Sequence, residues 1–167
     1  MKHPSAEILI VNELINRIFP TWPLRVERVA EGVSTHVYRI VFQRETFYLR
    51  ILPEEGASVA PEVVAHRLLR RLQVKVPEVI YFDHCYEPLQ RSVMVTTEVK
   101  GIPISQSSEL RQGELGAIVI EAGRDLARIN SVKVEGFGWG ETRSNGCRAY
   151  PSGKGHRPRI YARILGN

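Results

Sequence analysis

The 167-residue chain is 43% hydrophobic and 25% charged, the make-up of one globular domain with a sizeable core. No apolar run approaches the roughly 18 residues that span a bilayer, so no membrane-spanning helix is expected. The net charge of +5 argues for no basic binding face either: residues 141–167 hold six basic side chains and one acid, Glu141, and the rest of the chain is balanced.

Ser5 is a suitable N-cap, and Ile8, Val11, Ile15 and Ile18 mark one face of a packing helix that stops before Pro20. Glu7 and Glu13 interrupt the apolar pattern of this segment and no small-residue cleavage signature follows, so a signal peptide is not expected. Pro20 and Pro23 make a short linker.

Val26 to Ala30 alternates as a strand does. Gly32 then permits a sharp turn whose backbone can approach a ligand closely, with the hydroxyls of Ser34 and Thr35 at its tip. Val37 to Phe42 and Phe47 to Ile51 are rich in β-branched and aromatic residues and read as two more strands. Arg50 sets a cation in the third strand, near a turn whose N–H groups suit phosphate. The same residues also fit a half-buried meander with an exposed arginine, and a lone glycine turn does not decide between the two.

Pro53 to Ala57 is a turn. A helix follows, with Pro61 in its first turn and Val64, Leu68 and Leu72 as its apolar face. Glu62 either complements the dipole of that first turn or faces the sheet and pairs with Arg50. Arg67, Arg70 and Arg71 read as a solvated face. Val76 to Asp83 is a strand entered through Pro77, and Ser92 to Val99 is another. Lys100 to Pro103 turns the chain out of it.

These pieces make a five-stranded antiparallel sheet with one helix inserted after the third strand, an α+β fold. Asp83-His84-Cys85 reads as a turn rather than a metal site, because no second ligand pair stands nearby. Cys85 and Cys147 are far apart in sequence and read as free thiols in a reducing, cytoplasmic compartment.

Glu109 to Ser131 is helical, with Leu110, Leu115, Ile118, Ala122, Leu126 and Ile129 near a 3.6-residue period. Gly136 to Gly140 is a loop. Beyond it, glycine and proline interleave with basic residues, and no periodicity returns until Ile160 to Leu165. The basic tail has little aromatic interleaving, which argues against nucleic acid.

Three segments carry a family resemblance: E-G-V-S-T-H-V-Y-R-I with F-Y-L-R-I, then P-E-V-V-A-H-R-L-L-R-R-L with V-P-E-V-I, and last L-A-R-I-N-S-V with G-F-G-W. Their order resembles the N-terminal lobe of protein-kinase-like phosphotransferases, and most closely the aminoglycoside phosphotransferase and choline kinase-like family. The resemblance covers about residues 20–140 and implies a kinase-like N-lobe over 21–104, after the N-terminal helix read over residues 1–20. It further implies the first helices of a truncated C-lobe over 105–140; the irregular basic tail over 141–167, read from composition, lies beyond it.

The resemblance also implies the site. Gly32, Ser34 and Thr35 would cover the phosphates of ATP or GTP. Arg50 stands where the family usually has a lysine, and Glu62 would be its ion-pair partner. Thr96 would back the base pocket, and the backbone of Thr97 to Val99 would bond the purine edge.

Asn130 replaces a common histidine. The Arg50 swap keeps the charge but changes its shape. The family's His-Gly-Asp…Asn loop and following Asp, which supply the catalytic carboxylate and the magnesium ligands, have no match: no His-x-Asp follows residue 100, and Asp125 is the last aspartate.

The parent activity implied is nucleotide-dependent phosphoryl transfer to a hydroxyl of a small molecule, with this chain an inactive fragment. The alternative is a non-catalytic module that binds nucleotide or protein, including self-association through the surface that a C-lobe would cover.

Overall fold

The computed structural model describes residues 6–29, 35–107 and 110–133. The expected Ser5 cap, Gly32 and Ser34 of the glycine turn, and everything beyond Lys133, including the Gly136–Gly140 loop and the basic tail, lie outside the described residues. In chain order the elements are α1 (Ala6–Ile18), β1 (Arg25–Val29), β2 (His36–Val41), β3 (Thr46–Ile51), α2 (Ala60–Arg71), β4 (Val79–Tyr86), β5 (Arg91–Thr97) and α3 (Gln112–Asn130). A 3₁₀ turn at Ile104–Gln106 precedes α3.

The five strands form one antiparallel sheet in the order β1-β2-β3-β5-β4, with α2 crossing between β3 and β4. This is the α+β arrangement expected from the sequence. The turn before α2 carries Gly56 at φ +77°, a conformation that favours glycine.

Strand alternation divides the sheet into two faces. On one face Tyr38, Ile40, Leu49, Ile51, Val93 and Val95 form the main core with Val11, Leu14 and Ile15 of α1. Phe19, just past α1, closes one end of that core against Phe42 and Phe47, with centroids 4.9 and 4.8 Å away. On the other face Met94 packs with Leu52, Val59 and Val63, from the end of β3 and the start of α2. β5 thus has a helix on both sides, which explains why Ser92 to Thr96 are buried without interruption while β3 alternates.

Three expectations need correction. The buried side of α2 is Ala60 and Val63, whereas Val64 and Leu68 are 55% and 36% exposed. The helix is turned because Glu62 and Val63 must reach Arg50 and Met94 on the sheet. Asp83, His84 and Cys85 are not a turn but part of β4, whose pairing with β5 is irregular between Asp83 and Tyr86. The turn comes later, where Gln90 takes φ +51°. Cys85 is not a free thiol in the structure.

α3 differs from the other elements. None of its residues is buried, and Leu115, Val119, Ile120, Leu126 and Ile129 are all exposed. The carboxylate of Glu114 accepts the Arg111 N–H at 2.8 Å, which satisfies one free donor at the helix start.

Candidate functional site

The sheet face opposite α1 is built from two rows of cross-strand partners. One row runs Val29, Val37, Arg50, Met94 and Phe82; the next runs Glu27, Arg39, Tyr48 and Thr96. α2 covers the Met94 and Phe82 end of the first row, with the Arg67 guanidinium 5.5 Å from the Phe82 ring centre. Val29, Val37, Glu27, Arg39, Tyr48 and Arg50 remain only half-buried, which leaves a partly open face bordered by the helix.

Arg50 stands at that border. Its Nη1 donates to Glu62 Oε2, and its Nη2 donates to Glu62 Oε1 at 3.5 Å. Glu62 is also the acid in the first turn of α2, so both roles read for it from the sequence are compatible. A guanidinium has five N–H donors, so this pairing leaves donors of Arg50 for an anion.

Val37 is the cross-strand partner of Arg50, and it sits two residues beyond Thr35. Thr35 is half-buried at the entry to β2. Gly32 and Ser34 lie outside the described residues.

Thr96 is buried in β5, directly opposite Tyr48. Thr97 is committed to the sheet: its N–H donates to Glu78 O at 2.9 Å, and its hydroxyl accepts the Glu78 N–H at 2.9 Å. The Glu98 N–H is committed too, donating to Thr46 O at 3.1 Å. Of the N–H groups from Thr97 to Val99, those of Thr97 and Glu98 are therefore engaged, while Val99 lies past the end of β5 with half of its surface exposed.

Sequence reasoning missed Tyr48, Arg39 and Glu98. The Tyr48 hydroxyl donates to Glu98 Oε1 at 3.2 Å, and burial together with this bond raises the pKa of its phenol. Arg39 Nη1 donates to Glu27 Oε1 at 3.4 Å, and Nη2 stands 3.8 Å from Glu98 Oε1. The two-residue alternation back from Arg50 could have found Tyr48 on the same face. Arg39 and Glu98 needed the strand register. Among the described residues, no group of three His, Cys, Asp or Glu side chains comes together as a metal site.

No curated protein matches this chain. A solved structure of a protein from Ralstonia eutropha JMP134, designated an aminoglycoside phosphotransferase, is similar in fold, with a TM-score of 0.56 and 21% sequence identity. The match covers 75% of this chain and 38% of that one, so the chain spans well under half of that protein's length. The phosphotransferase enzyme family matches residues 25–154, from the first strand through the described lobe and into the stretch read as a basic tail. With that match covering most of its length, and with the sheet, the inserted helix and their order agreeing, the chain belongs to the phosphotransferase enzyme family.

Proposed function

We propose that the described lobe is the nucleotide-holding half of a small-molecule phosphotransferase. The observation that carries this reading is the Arg50–Glu62 pair at the edge of a half-open sheet face. Arg50 would meet the phosphates of ATP or GTP, with Glu62 holding it in place. Gly32, Ser34 and Thr35 would close over them. Tyr48 and Val37 would face the base, Thr96 would back its pocket, and the Val99 N–H with carbonyls of the Thr97 to Val99 stretch would meet its edge. The acceptor class is a small molecule bearing a hydroxyl: an aminoglycoside, a choline-like alcohol or a sugar. A cytoplasmic setting suits such substrates.

Magnesium would neutralise phosphate charge in such a reaction. Among the described residues no three His, Cys, Asp or Glu side chains come together, and the sequence has no His-x-Asp after residue 100. These 167 residues would therefore bind nucleotide without transferring its phosphate.

Isothermal titration of the purified chain with ATP and GTP tests the binding, and a phosphoryl-transfer assay over aminoglycosides, choline and sugars tests the inactivity. Binding without turnover is expected. Failure to bind either nucleotide overturns the first statement, and transfer that disappears in Arg50→Ala overturns the second.

A second reading is favoured by one observation, the lack of any buried residue in α3. On that reading the chain is a non-catalytic module that associates with itself or with a protein partner through this helix. Sedimentation over a range of concentrations discriminates: a monomer at all concentrations removes self-association.

A further inference from the structure

The row Glu27–Arg39–Tyr48 crosses three strands as direct ladder partners, and Glu98 extends it past the end of β5. Tyr48 donates to Glu98 Oε1 at 3.2 Å, Arg39 stands 3.8 Å from that same oxygen, and its other terminal nitrogen donates to Glu27 Oε1 at 3.4 Å. Arg25 closes the far end, 2.8 Å from Glu27 Oε2. Two cations and two carboxylates thus form a charge-balanced crosspiece from β1 to the chain leaving β5, with one phenol inserted in it.

Arg39 Nε is buried and has no hydrogen-bond partner among the described residues. A buried donor in that state is costly, so the position of this side chain calls for an explanation. Its reach supplies one. Arg39 is the residue that ties Glu98 to β1, and Glu98 holds the outer end of the Tyr48 ring.

We infer that Arg39 and Glu98 are positioning residues for the nucleotide base. They fix the Tyr48 ring on the open face before a ligand arrives, so that less side-chain freedom is lost on binding. This rests on the nucleotide-binding reading above. Arg39 and Glu98 act through Tyr48 and through the chain that leads to Val99; the phosphate end, at Arg50, lies in the neighbouring row and is not held by them.

The test compares ATP with inorganic tripolyphosphate on the full chain and on Glu98→Gln, Tyr48→Phe and their double variant. Each single variant is expected to weaken ATP by about tenfold, and the double variant no further, because both act on the one Tyr48–Glu98 bond: Glu98→Gln leaves it a neutral amide acceptor, and Tyr48→Phe removes its donor. Tripolyphosphate affinity stays unchanged. In the ligand-free chain Glu98→Gln also lowers the pH at which one tyrosine ionises in the ultraviolet, and that change is absent from the Tyr48→Phe background.

Unaltered ATP affinity in Glu98→Gln, or an equal loss for tripolyphosphate, overturns the proposal while leaving nucleotide binding intact. A wild-type chain that binds neither ATP nor GTP removes the underlying reading and the proposal with it.

Discussion

Arg50 and Glu62 are twelve residues apart in sequence and meet through both terminal nitrogens of the guanidinium and both carboxylate oxygens. The pair joins β3 to the first turn of α2 and fixes how the helix is rotated on the sheet. Its side chains are 30% and 41% exposed, so solvent and a ligand both reach it.

Arg50→Ala is expected to weaken ATP binding by about tenfold or more, because a charge-assisted contact to phosphate is lost. Glu62→Gln leaves the cation but loosens it, so a smaller loss in the same direction is expected. Calorimetric titration with ATP reads both, and unchanged affinity in Arg50→Ala would sink the assignment.

The rotation of α2 gives a test that needs no ligand. Val63→Ala is expected to cost about 2 kcal/mol of stability, the loss of two buried methyl groups plus the cavity they leave. Val64→Ala, one residue on, should stay within about 0.5 kcal/mol because the side chain is already in water. Urea denaturation of the two variants separates these outcomes, and the reverse order would return the helix to the face read from the sequence.

Glu7 on α1 meets His36 Nδ1 at 2.7 Å, next to Tyr38. Burial alone would raise its carboxyl, but hydrogen bonds with His36 and Tyr38 and the charges of His36 and Arg28 outweigh it, and the net shift is downward. A lowered carboxyl stabilises the fold above its ordinary value of 4.5, and that contribution fades as pH falls through the lower folded value. Glu7→Gln should therefore lower stability at neutral pH and flatten the acid limb below about pH 5. Equal acid limbs in wild type and variant would contradict this.

The alkaline limb has its own cause. Burial, then the bond to Glu7, pushes the Tyr38 phenol up to about 12. The unfolded chain ionises first, so stability falls as pH rises from 10 towards that value. Tyr38→Phe is expected to reduce the fall, as read by denaturation at a series of alkaline pH values.

Leu126→Glu on α3 should leave the unfolding midpoint of the sheet lobe unchanged, since Leu126 is exposed. If α3 is the self-association surface, the same variant shifts the sedimentation profile towards the monomer. Unchanged association in Leu126→Glu would move the contact elsewhere.

The five strands, the inserted helix and the family were legible in the sequence because period and order are local properties. Alternation marked Val26 to Ala30, β-branched and aromatic content marked Val37 to Phe42 and Phe47 to Ile51, Pro61 marked the start of α2, and a glycine turn followed by a cation and then an acid marked the family. The Arg50–Glu62 pairing was legible only as one of two readings. A helix of 12 residues can turn either Val63 or Val64 inward, and its own composition does not choose. The sheet chooses, because Met94 and Arg50 stand where Val63 and Glu62 can reach them. The Arg39–Tyr48–Glu98 crosspiece was illegible for a related reason: it joins residues of three strands and the chain beyond, and only register makes them neighbours. The sequence by itself therefore determined the elements and their kinship, while tertiary structure decided which side chains meet across the open face, because meeting depends on register and helix rotation rather than on spacing along the chain.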